Sequence, residues 1–180
     1  MSDMTERVHR LGENTARMLA GLWQQHQDGE LTRDELVDLA VVILRVSHAQ
    51  ARLAAEAAFT AWKLQQGLPA DPENAEQRAE YVDPDDRLAE AMRTVLDTSE
   101  TSDEAGMRIE RLGRGEATAA AYGALMGAMR ASGIVRGWRR VTEPDACELC
   151  NELAARDELL DTDIDMYRHK GCACVPLPVS

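Results

Sequence analysis

Val8, Leu11, Thr15, Met18, Leu19 and Leu22 recur at steps of three and four residues, which lays one stripe along a helix from about residue 4 to 27. Asp28-Gly29 ends it, because glycine takes the left-handed cap without a Cβ penalty. Thr32-x-x-Glu35 has the form of a capping box and opens a longer helix running to about Gln66, where Gly67-Leu68-Pro69 stops it. From Leu36 to Val46 this second helix is apolar nearly all round, which predicts burial by neighbours on every side. Further on, Arg45, Arg52, Glu56 and Lys63 mark the expected solvated face, with Leu53, Ala57, Phe59 and Leu64 turned inward. The two helices are expected to form an antiparallel hairpin sealed by Trp23 and Trp62.

After residue 66 the pattern turns polar. Asp83-Pro84 reads as an N-cap followed by proline at the first helical position. A short amphipathic helix then runs through Leu88, Met92, Val95 and Leu96. The stretch around it is expected to be an extended, solvated connector, since its charge favours exposure. Residues 104 to about 131 return to helical spacing through Met107, Ile109, Leu112, Ala119, Tyr122, Leu125, Met126 and Met129. Gly113 and Gly115 predict a kink or a restart at Glu116. Ser132-Gly133 caps this helix, and Ile134 to Thr142 reads as a strand entering a cysteine turn. A short helix over Cys150 to Arg156 follows, then a polar turn through Asp161, Asp163 and Asp165. A second strand is expected from Met166, Tyr167 and Val175. The fold class is therefore mainly α, with a small β-hairpin module. The expected division is a helical hairpin over 1–66, an acidic connector over 67–104 and a C-terminal module over 105–180.

Composition supports that class. Alanine is abundant and aromatics make up only 4% of the 180 residues, a mix that suits close helix packing and disfavours an all-β domain. The net charge of -12 is uneven: about -2 over residues 1–66, -9 over 67–105, +3 over 106–146 and -4 over 147–180. Such a chain is a poor general nucleic-acid binder, because phosphate contact relies on Lys and Arg. No run reaches eighteen uncharged apolar residues, so no membrane partner is expected.

All four cysteines lie in the last quarter: Cys147-x-x-Cys150 and Cys172-x-Cys174, with His169 three residues before Cys172. Two thiols from one tight turn, met by an imidazole and two more thiols, approach the two-plus-two supply of a tetrahedral structural zinc site. Five candidates compete for four positions, and two disulfides are the competing reading. The expectation of zinc rests on the lack of a secretory signal ahead of the cysteines, since a reducing compartment disfavours disulfides. Trp138 is expected to wall the site, because a module of about forty residues has little core of its own. His9, His26 and His48 sit on predicted helices without a second ligand at useful spacing, and read as solvated or hydrogen-bonded side chains. Ser47 and His48 are adjacent on a helix, point about 100° apart and cannot act as a nucleophile–base pair.

Arg108, Arg111 and Arg114 follow one another at steps of three, with Glu116 beside them. The run Arg111-Leu112-Gly113-Arg114-Gly115-Glu116, with Gly137-Trp138-Arg139-Arg140-Val141, Asp145, Cys147-x-x-Cys150, Leu153-Ala154 and His169-x-x-Cys172-x-Cys174-Val175-Pro176, resembles the C-terminal region of the MuF-like phage head morphogenesis family. The likeness covers roughly residues 105 to 178, and Lys170 stands where the family commonly has proline. It implies a structural minor head protein of a tailed bacteriophage. Such a protein sits in the procapsid interior near the portal vertex, and in the host cytoplasm during assembly. Its implied partners are portal, major capsid or scaffold protein, with packaged DNA and further copies of the chain also within reach. It also implies a structural ion pair involving Glu116 and an arginine such as Arg111 or Arg114. An enzyme is not expected, because cysteines saturate the metal set and no nucleophile has a credible His–acid partner. Two other readings compete. One is a zinc-knuckle nucleic-acid binder using Arg130, Arg136, Arg139 and Arg140; the other is a capsid maturation protease.

Overall fold

A computed structural model describes residues 2–69, 85–142, 146–167 and 174–180. In chain order these form α1 (Ser2–Gln27), α2 (Arg33–Gln65), α3 (Asp85–Thr98), α4 (Ser102–Ser132), β1 (Gly137–Val141), α5 (Glu148–Ala155) and β2 (Val175–Val179). The described residues are thus mainly helical, with one two-stranded antiparallel sheet. The predicted N-cap at Asp83 and Pro84 falls outside them.

Local punctuation follows the residues that predict it. Gly29 takes φ +77° after α1. At the start of α2 the Thr32 N–H donates to Glu35 Oε2 at 2.8 Å, and the Glu35 N–H donates to Thr32 Oγ1 at 3.3 Å, the reciprocal satisfaction of a capping box. Thr101 caps α4 in the same way from one side, and Gly133 closes it with φ +63°.

α1, α2 and α4 pack pairwise as a three-helix bundle, and α3 lies against α2 and α4. α4 runs unbroken through Gly113 and Gly115, so the expected restart at Glu116 does not occur. The glycines serve a different purpose. A Cβ on Gly113 would lie 3.0 Å from the backbone of Ala16, and one on Gly12 would lie 3.2 Å from the Arg114 carbonyl oxygen. α1 and α4 therefore touch backbone to backbone at this crossing, which only glycine permits. Gly115, with nothing within 4 Å, has no such duty.

The core falls into two clusters. One gathers Leu19, Leu36, Val37, Ala40, Leu44, Leu88, Met92 and Ile109 near the α3 end. The other holds Val8, Ala51, Ala55, Phe59, Trp62, Leu125 and Met129, and continues into the C-terminal module through Trp138, Cys150, Met166, Cys174 and Val175. Trp62 belongs to this second cluster and Trp23 packs against the first, so they do not seal one seam together. The expected solvated connector is also corrected over its described part, since Leu88 and Met92 are fully buried.

α2 departs most from expectation. Its core face is Leu36, Val37, Ala40, Leu44, Ala51, Ala55, Phe59 and Trp62. Leu39, Val42, Val46, Leu53 and Leu64 are exposed, as is Ala57, while Lys63 is buried with its Nζ 5.5 Å from the Phe59 ring centroid. Met18 on α1 is likewise exposed. Both faces of α2 are apolar, so periodicity alone could not say which one meets the bundle.

In the module β1 is flanked on both sides. It pairs with β2 in the register Gly137↔Val179 to Val141↔Val175, and Trp138 bridges Leu160 on the other side. Because the Trp138 N–H and carbonyl both bond Leu160, at 2.8 and 2.9 Å, they point away from β2. The opposite residue, Pro178, then has its nitrogen turned to the outer edge, and Pro176 repeats this two residues earlier. Prolines at these positions lose no ladder bond and blunt the free edge. The second strand is thus Val175–Val179; Met166 is buried outside it and Tyr167 is exposed.

Candidate functional site

Between the two apolar clusters lies a layer of buried polar side chains drawn from all three bundle helices. Thr15 Oγ1 sits 2.9 Å from the Leu11 carbonyl oxygen and 2.8 Å from Ser47 Oγ. His48 Nε2 is 3.0 Å from Glu116 Oε2. From α3, Arg87 reaches in with two donors, Nη1 to Glu116 Oε1 at 3.1 Å and Nη2 to Oε2 at 2.5 Å. Burial alone would raise the Glu116 carboxyl. Hydrogen bonds from His48 and Arg87, with the charge of Arg87, outweigh it and hold the group down to about 2. With Glu116 ionised, His48 Nε2 must be the donor. Ser47 bonds Thr15, and His48 bonds a carboxylate that Arg87 already engages twice. The layer favours one register, because sliding α2 or α4 would strand the buried Glu116 charge and sliding α1 would part Thr15 from Ser47.

Glu116 therefore does make an ion pair, but with Arg87 rather than with the arginines nearest in sequence. Arg114 Nε donates to Glu13 Oε1 at 2.7 Å and its Nη2 to Glu110 Oε2 at 3.1 Å, tying α4 to α1 beside the Gly12–Gly113 crossing. Glu13 is held below its ordinary value mainly by that Arg114 hydrogen bond. Arg111 is exposed, and Arg108 donates to the Thr98 carbonyl at 3.0 Å across the α3–α4 turn. No local signal marks Arg87 or singles out His48, since His48 and Glu116 lie 68 residues apart. The nearest hint is that His48 shares the face of Leu44, Ala51 and Ala55.

The cysteine module is the second candidate. Cys147 takes the N-cap position of α5 and is exposed; Cys150 lies one turn on and is buried. Cys174, just before β2, is also buried, and belongs to the same apolar cluster as Cys150 and Trp138. Among the described residues no three His, Cys, Asp or Glu side chains form a metal-holding group, and His169 and Cys172 lie outside those residues. Trp138 is fully buried, and its Nε1 lies 3.1 Å from the carbonyl oxygens of both Asp161 and Ile164. Gly137 is required here, as a Cβ would lie 2.4 Å from the Leu160 carbonyl oxygen. Arg140 Nη2 donates to the Tyr167 carbonyl at 2.7 Å, Arg130 pairs with Asp165, and Arg139 with Asp157 at 3.1 Å. Three of the four arginines proposed for a nucleic-acid face thus hold the module's own loops. The Asp161 carboxylate accepts the Asp163 N–H at 3.0 Å, an ordinary loop turn.

A three-helix bundle with a buried polar layer, joined through its core to a tryptophan-centred hairpin module, defines a mainly helical fold. The chain belongs to the VG15 protein family, whose model matches residues 1–180, a membership that suggests a phage protein. No curated protein and no solved structure matches it. No helix among the described residues is long and apolar enough to cross a membrane.

Proposed function

We propose that this chain is a structural minor head protein of a tailed phage, acting in procapsid assembly through contacts with portal, capsid or scaffold protein. One observation carries the reading: thiols at Cys150 and Cys174, 24 residues apart, enter one apolar cluster beneath Trp138. Cys147 adds a third sulfur at a helix N-terminus, where open backbone N–H groups favour negative charge. With His169 and Cys172 these residues supply the side-chain types of a structural Zn2+ site, while the three described sulfurs do not by themselves gather into a metal-holding group. The metal would supply folding energy to the module and no chemistry. Trp138 would then serve as the wall between that site and the bundle. The same saturation by sulfur disfavours a hydrolase or maturation protease, and the engaged arginines disfavour a nucleic-acid knuckle.

Native mass spectrometry of the purified chain tests the metal: one zinc per chain is expected, and a mass lower by two or four hydrogens without metal would replace zinc with disulfides. Affinity capture from assembling particles tests the role, with portal, capsid or scaffold protein expected. Recovery of none of these from particles that contain the chain would overturn it.

A further inference from the structure

Opposite its core face, α2 carries a second apolar stripe that is largely exposed. Leu39, Val42, Val46 and Leu53 are 42%, 55%, 53% and 65% exposed, and Leu64 extends the line. Steps of three, four and seven residues keep Leu39, Val42, Val46 and Leu53 on one side of the helix over about 21 Å, and Leu64 stands on the same side eleven residues further on. Exposed leucines and valines scattered singly need no explanation, but a continuous row at heptad spacing matches the seam of a helix pair.

We propose that this stripe is the contact between two copies of the chain, whose α2 helices pair antiparallel about a two-fold axis near Val46. Two features select a second copy. The stripe is self-complementary: Leu39 and Leu53 each lie seven residues from Val46, so reversing one helix sets leucine near the layers that leucine left. Its charged flank adds a cross-pair. Asp38 stands at one end of that flank, with Arg45 and Arg52 towards the other. Antiparallel pairing about that axis brings Asp38 of each copy to the partner's Arg52 and leaves the two Arg45 side chains nearest the axis. Parallel pairing brings the same flank against Ile43, Gln50 and Ala57, which offer no charge. Both arginines also have contacts within their own chain, so the intermolecular attraction adds to an existing arrangement. The stripe contains no residue of the cysteine module, and the pairing stands or falls independently of zinc.

The test is sedimentation equilibrium of the full chain, in reductant with zinc, from 1 to about 100 µM. A dimer mass is expected for the wild type, and a monomer that keeps the wild-type helical circular dichroism for Val46→Glu, since that side chain faces outward in the single chain. Asp38→Arg is expected to weaken association roughly two- to thirtyfold, the effect of two equivalent surface ion pairs, and Asp38→Arg with Arg52→Asp to restore it. A wild type that stays monomeric at the highest concentration, or a dimer untouched by Val46→Glu, overturns the proposal. A dimer lost in Val46→Glu but indifferent to both charge reversals overturns the antiparallel arrangement.

Discussion

Replacing Glu116 with glutamine separates the charge of the buried layer from its shape. The amide has nearly the same volume, so the helices keep their packing, but only its oxygen can accept from His48 and Arg87 and its NH2 faces a donor. The carboxyl sits at about 2 in the folded chain against an ordinary value of 4.5. A difference of about 2.5 units corresponds to roughly 3 kcal/mol of stability at neutral pH. Arg87 is nearly half exposed, which screens part of its contribution, so about 2–3 kcal/mol is the expected loss in Glu116→Gln at pH 7. The sign fixes the pH window. A depressed carboxyl stabilises the fold fully above 4.5, and that stability drains away as pH falls towards 2. At pH 3 about half of it remains, so the gap between wild type and variant should shrink to about 1–1.5 kcal/mol. Urea unfolding followed by helical circular dichroism at pH 7, 5 and 3 reads this difference directly, and other carboxylates cancel because both proteins carry them. A gap that stays constant from pH 7 to pH 3 would refute an ionised, doubly bonded Glu116.

Three further outcomes follow from the packing. Gly113→Ala should cost about 1–3 kcal/mol despite alanine's helix preference, because its Cβ would press on the Ala16 backbone, whereas Gly115→Ala should gain about 0.5–1 kcal/mol in the same melts. Trp138→Ala should destabilise the module by about 3–5 kcal/mol, while Trp138→Phe keeps much of the volume but leaves the Asp161 and Ile164 carbonyls without their indole donor; limited proteolysis of the C-terminal quarter would show both. Chelation of bound zinc should change the fluorescence of Trp138 while sparing the circular dichroism of α1, α2 and α4; a parallel loss of bundle helicity would mean that the module and the bundle unfold as one.

The punctuation of this chain was legible residue by residue. Gly29, the Thr32–Glu35 box and Gly133 act through hydrogen bonds and dihedral angles set within a few positions, so sequence alone determines them. The amphipathic spacing of Leu88, Met92 and Val95 likewise announced α3. What the tertiary structure decided is different in kind. Gly113 read as a breaker, because nothing nearby in sequence shows that the backbone of Ala16 will lie against it. Lys63 read as solvated and Leu53 as buried, because α2 is apolar on two faces and only the positions of α1 and α4 choose between them. Arg87 drew no attention at all, since its partner Glu116 is 29 residues away and its value lies in a charge that burial would otherwise penalise. Local chemistry fixes where helices begin and end, whereas which side chains lose water is settled only when distant helices meet.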